Sequence, residues 1–93
     1  MIIDSHAHFV PPSLLAEIAD TAADFRALEL VKYDNGFGFS FAGGKPTRPL
    51  NPSLSDVAGR LDWMDQNQID HQVVGGWLDM FGYEMPAEDG EKW

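Results

Sequence analysis

The chain contains no cysteine. Disulfides and thiolate metal sites are excluded, and the usual staple of a small secreted domain is missing. Positive charge is scarce: six Lys and Arg stand against 15 Asp and Glu, a formal net charge of −9. Phosphate binding needs a basic face, so nucleic acid is not the expected partner. No run of about 18 apolar residues exists, so no membrane span is expected. The opening MIIDSHAHF has neither a basic start nor a long apolar stretch. It does not read as a signal peptide, and the expected location is cytoplasmic. Repeats and low-complexity segments are absent as well. What remains is one small acidic domain's worth of chain, which on its own buries only about 60–65% of its unfolded surface.

The hydrophobic pattern changes period along the chain. Ile2 and Ile3 open a short buried strand, predicted over residues 2–5. Pro11 and Pro12 cannot continue a central strand. Ser13 is placed to cap a helix whose apolar residues Leu14, Leu15, Ile18, Ala19 and Ala22 recur at helical spacing, ending near Asp24. Period two follows. Leu28 and Leu30 share a face of LELVKY, and Phe37, Phe39 and Phe41 share a face of FGFSFA. Asp34–Gly36 and Gly43–Gly44 supply turns. KPTRPL returns as a short edge strand, limited by Pro46 and Pro49. Residues 28–50 are thus expected to form a three-stranded antiparallel meander.

Helical spacing resumes after Pro52. Ser53 and Asp56 resemble a capping box, and Leu54, Val57, Ala58, Leu61 and Met64 form the stripe of a helix over about 54–67. Trp63 lies off that stripe and needs a second surface to cover it. HQVVGGW is a second short buried strand over 71–76, and MPAEDGEKW opens a further helix with Pro86 in its first turn. The acids clustered there suit a solvated helix start. Strand, helix and strand make one βαβ unit into which the meander is inserted. Two parallel strands cannot cover both faces of their sheet. The expected fold is therefore the N-terminal portion of a larger α/β domain.

The chemistry concentrates at the first strand's end. Residues two apart in a strand point to the same side, so His6 and His8 can reach one divalent ion if the backbone stays extended. Spacing alone makes His-x-His a weak metal signal. Its position, at the end of the first strand of an α/β unit, is the edge from which active sites are built. A catalytic zinc uses three protein ligands, and this segment offers two.

MIIDSHAHFVPPSLL, with its apolar pair, Asp, His-x-His and proline, resembles the opening of the amidohydrolase superfamily in its aminocarboxymuconate-semialdehyde decarboxylase-like (amidohydrolase 2) branch. GGKPTRPLNPSLSDVAGRLDWMDQNQIDHQVV is similar to that branch's Arg-bearing strand, Arg-bearing helix, Met-Asp-Gln and second strand, and WLDMFGYEMPAEDGEKW to the loop and helix that follow. The resemblance implies a distorted (β/α)8 TIM-type barrel. Residues 1–93 would be the N-terminal fragment of that one barrel domain, incomplete as a barrel, with 28–50 as a β-meander insertion.

It also implies a divalent metal, foremost Zn²⁺, with His6 and His8 as its first two ligands. Arg48 would meet a substrate carboxylate, unless it is simply an exposed edge-strand charge. Asp4 would hold a ligating histidine from behind, or merely end the strand. Trp77 would line the substrate pocket, or pack in the core. His71, at the far end of the second strand, reads as structural. The catalytic residues themselves match nothing within this fragment.

The implied parent is a metal-dependent decarboxylase or hydrolase of a small carboxylated substrate. The 93-residue chain alone is expected to be inactive, and to associate with copies of itself or with the remainder of the protein. The alternative is a stand-alone acidic interaction module that presents its Phe-rich meander to a partner.

Overall fold

A computed structural model describes residues 1–93. The protein is mixed α/β, with two separate two-stranded sheets and no closed barrel. β1 (Ile3–His8) and β4 (His71–Gly75) pair in parallel, with Ile3 opposite His71 and His8 opposite Gly75. β2 (Leu28–Tyr33) and β3 (Gly36–Phe41) pair antiparallel. Helices α1 (Pro12–Thr21) and α2 (Val57–Gln66) lie between strands, and α3 (Ala87–Lys92) follows β4. No helix is long and apolar enough to cross a membrane.

Several boundaries differ from the expectation, each for a local reason. β1 runs on through His8 instead of stopping near Ser5, so both histidines are strand residues. Ser13 does not cap α1: Pro11 occupies the cap position, Pro12 follows in the first turn, and no side chain accepts there. Proline needs no amide partner at a helix start, so the rigid Pro-Pro pair sets the entry by itself. The expected helix of 54–67 is split. Asn51 caps a single 3₁₀ turn over Pro52–Leu54 by accepting from the Ser53 amide. Asp56 then caps α2 by accepting from the Gly59 amide at 3.0 Å. Ser53 and Asp56 thus do not form a reciprocal box; two Asx caps act in series.

The meander is a two-stranded hairpin followed by an extended segment rather than three regular strands. Asp34 and Asn35 close the hairpin, and Gly36 carries the positive φ of 140° while Asn35 does not. Ala42 and Gly43, both at positive φ, make the second turn. Residues 45–50 then lie along β3, where the Thr47 and Leu50 amides donate to the Phe39 and Phe37 carbonyls at 2.8 Å. Pro46 and Pro49 have no amide to donate, so a regular ladder cannot form there. Gly38 permits this close approach. A Cβ on it would sit 2.7 Å from Thr47 Oγ1 and 2.9 Å from the Arg48 carbonyl oxygen. Gly38→Ala should lower unfolding free energy by about 1–3 kcal/mol, as overpacking against backbone does. Urea denaturation checks this, and an unchanged midpoint would show that the 45–50 segment is free to move away.

The buried core is small and centres on the hairpin. Phe39 is fully buried, with ring centroids of Phe37, Phe41, Trp93 and Trp77 at 5.7, 5.9, 5.9 and 6.3 Å. Val10, Ile18, Leu50, Met80 and Met85 complete it. The Phe face therefore points inward and is not free to meet a partner in the way a stand-alone module would need.

The parallel sheet, by contrast, is uncovered. Ile2, Ile3, Val73 and Val74 are 46–58% exposed, α2 buries none of its residues, and Trp63 is left half exposed. The radius of gyration is 15.2 Å, against about 12 Å for a compact domain of this length. Accessible surface is 6542 Å², against roughly 5,400 Å² for a folded monomer of this mass. Both excesses accord with a sheet and helix whose apolar side chains stay about half exposed.

Candidate metal and carboxylate site

The two histidines converge. Their ring centroids lie 5.0 Å apart, edge to face. His8 Nδ1 is 2.9 Å from the Gly76 carbonyl oxygen, just beyond β4. A carbonyl only accepts, so Nδ1 carries the hydrogen and Nε2 of the neutral ring keeps its lone pair for an ion. This is the arrangement by which a backbone carbonyl usually fixes a ligating imidazole. His6 is exposed, with no side-chain hydrogen bond to divert it.

The donor set fits an imidazole-binding divalent ion such as Zn²⁺ for two positions. No group of three or more His, Asp or Glu side chains assembles within these residues. His71 cannot supply a third, because it pairs with Ile3 at the far end of β1.

The strand register changes within the motif. Asp4 pairs with Gln72 but Ala7 pairs with Val74, so β1 carries one extra residue between them. Such a bulge breaks simple alternation and re-aims the side chains after it. Asp4 is correspondingly not a partner of either imidazole. Its carboxylate accepts from the Gln72 side-chain amide at 2.7 Å and from the His6 backbone amide at 3.2 Å. It acts on the histidine's backbone and not on its ring, a distinction that its place in the sequence does not carry.

The Gln72 hydrogen bond, and then the His6 amide, stabilise the charged form and hold the Asp4 carboxyl below its usual 3.8. The resulting stabilisation is complete above the unfolded-state pKa and is lost as pH falls through the lower folded value. Asp4→Asn should therefore lose less stability than the parent on acidification below about pH 4. Denaturation midpoints measured across that range check it; parallel acid limbs would contradict it.

Arg48, on the extended segment, makes one ion pair, with Nε donating to Asp79 Oδ2 at 3.2 Å. Its side chain is otherwise 79% exposed, which leaves the terminal nitrogens free. Trp77 is buried and packs on Phe39, so its bulk belongs to the core. One cleft of about 750 Å³ nevertheless brings these residues together: His8, Arg48 and Trp77 all line it, with Asn35, Asn51 and Leu54. An imidazole, a free guanidinium edge and an indole on one wall suit a small ring compound bearing a carboxylate.

Sequence reading gave Arg60 no role beyond its place on the Arg-bearing helix and did not single out Gln72. Arg60 Nη1 donates to Gln72 Oε1 and Nη2 to the His8 carbonyl oxygen, both at 2.6 Å. Its guanidinium carbon lies 5.6 Å from the Phe9 ring centre. The available signal was a polar Gln72 beside His71 at the start of a short apolar strand, and a cation in the first turns of α2. Neither announces a partner that is 12 or 52 residues away. The chain matches no protein-family model, and no curated protein is similar to it.

Proposed function

We propose that residues 1–93 are the opening portion of a metal-dependent enzyme of the amidohydrolase type, a decarboxylase or hydrolase of a small carboxylated substrate. In this reading β1, α2 and β4 are the first βαβ unit of a (β/α)8 barrel, and the hairpin is an insertion beside its mouth. The observation that carries it is the pair of converging imidazoles at the C-terminal end of β1, with His8 sharing a cleft with Arg48. The uncovered faces of β1, β4 and α2 support it, because neighbouring strands and helices of a barrel are what would cover them.

His6 and His8 would hold the ion, with its other ligands from outside these residues. A bound divalent ion supplies Lewis acidity and a more acidic water. The chain's own groups do the rest. His8 keeps Nε2 unprotonated through its Nδ1 contact with Gly76. Arg48 orients the carboxylate through its free guanidinium edge, and Trp77 walls the cleft against water. Decarboxylation and hydrolysis share such a site, so fold does not choose between them.

The test is turnover of carboxylated ring substrates by the protein carrying this segment, before and after chelation. Activity lost on chelation and regained with zinc is the expected result. Activity indifferent to chelator would remove the metal from the reaction.

A further inference from the structure

The bulge in β1 has a mechanical cost. Regular pairing with β4 holds Ile3–Asp4 and Ala7–His8 but skips Ser5 and His6, at the start of the histidine motif. A ladder interrupted there leaves the backbone at Ser5 and His6, on the N-terminal side of the pair, short of strand contacts.

A chain of side-chain hydrogen bonds replaces them. The His6 amide donates to Asp4 Oδ1 at 3.2 Å. Gln72 Nε2 donates to Asp4 Oδ2 at 2.7 Å, and Gln72 Oε1 accepts from Arg60 Nη1 at 2.6 Å. Arg60 Nη2 then donates to the His8 carbonyl oxygen at 2.6 Å. The chain starts at the first atom of the His6–Ala7–His8 tripeptide and ends at its last. It ties that tripeptide to β4 through Gln72 and to α2 through Arg60. A carboxylate only accepts and a guanidinium only donates, so the amide of Gln72 between Asp4 and Arg60 can point only one way. The Phe9 ring under the guanidinium limits its swing.

We infer that Asp4, Gln72 and Arg60 form a clamp that fixes the backbone of the two histidines, making these three the positioning residues of the site. The inference rests on reading His6 and His8 as a ligand pair, but its first readout needs no metal. In metal-free protein at neutral-to-alkaline pH, long-range ¹H–¹⁵N spectra should show His8 as one tautomer, protonated at Nδ1.

Two substitutions break the clamp at different points. Gln72→Glu still accepts from Arg60 but cannot donate to Asp4, and places a second carboxylate against it. Arg60→Met releases the His8 carbonyl. Both should give averaged His8 tautomers and zinc binding weaker by about 10- to 100-fold, the usual cost of losing support behind a metal ligand. The double variant Asp4→Asn, Gln72→Glu reverses one hydrogen bond. The carboxamide introduced at position 4 donates to the carboxylate introduced at position 72, while its oxygen still accepts from the His6 amide. The double variant should restore both the single tautomer and the affinity, which a general loss of stability would not predict.

If Arg60→Met does not fold, the Gln72→Glu single and double variants decide the matter. An unchanged His8 signal in Gln72→Glu, or no recovery in the double variant, overturns the clamp. If the parent shows the single tautomer and loses it in the variants but binds no zinc, the clamp stands and the metal reading falls.

Discussion

Arg48→Ala should lower kcat/KM for a carboxylated substrate by roughly 10²-fold in the proposed enzyme, as loss of a charged contact of about 3 kcal/mol implies. Stability should hardly move. The side chain's only partner is Asp79, in a largely exposed pair, and such pairs contribute about 0–1 kcal/mol. The substitution thus separates two roles that the sequence left open. An edge-strand charge would give neither effect, and a residue that maintains the fold would lose stability first. Arg48→Lys should recover little, because an ammonium cannot present the planar two-pronged edge that a carboxylate takes. Kinetics of the variants on a substrate and on its analogue lacking the carboxylate check this. Equal losses on both would show that Arg48 shapes the cleft without meeting the carboxylate.

Replacing both His6 and His8 by alanine should abolish measurable zinc binding. Structural zinc sites gain about 10–16 kcal/mol from four ligands, or about 3 kcal/mol for each. Two imidazoles alone then give a dissociation constant on the order of 0.1 mM. Removing both costs roughly 10⁴-fold. Each single substitution costs roughly 10²-fold, with His8→Ala the more damaging because His8 alone has its tautomer set by Gly76. Binding should weaken on acidification, since a protonated imidazole cannot ligate. Calorimetric titration of the parent, the singles and the double checks the series. Identical isotherms for parent and double would place the ion elsewhere, most simply among the carboxylates near the C-terminus.

The parts of this structure legible in the sequence are those set by short-range pattern. Period two over Leu28–Phe41 gave the hairpin and put Phe37, Phe39 and Phe41 together, as the pairing of Leu28 with Phe41 and Leu30 with Phe39 bears out. Helical spacing after Pro52 gave α2, and the two apolar runs gave β1 and β4. What pattern could not supply was the outcome of competition between equivalent local signals, and anything set by a distant partner. Asn51, Ser53 and Asp56 are all good caps, and which two act depends on where Pro52 forces the turn. The β1 bulge is a property of the β1–β4 pair, not of either strand alone. The third strand of the meander failed because two prolines remove the amides a ladder needs, a cost already visible in the sequence.

The site divides along the same line. His6 and His8 were legible from spacing and position, and Arg48 only through resemblance. The shared cleft, the Gly76 contact and the Asp4–Gln72–Arg60 chain depend on contacts spanning 12 to 68 residues. Asp4 shows the difference most plainly. Its place before the motif was visible, but its contact with Gln72 exists only because the parallel pairing sets the two residues opposite each other.

The most direct test of the central claim is a zinc titration of the chain followed by the imidazole ¹⁵N signals of its three histidines. The Nε2 signal of His8 and one ring nitrogen of His6 should shift together and saturate at one ion per chain, while His71 stays where it began. His6 and His8 signals that do not move at millimolar zinc, or that move no more than His71, would contradict it.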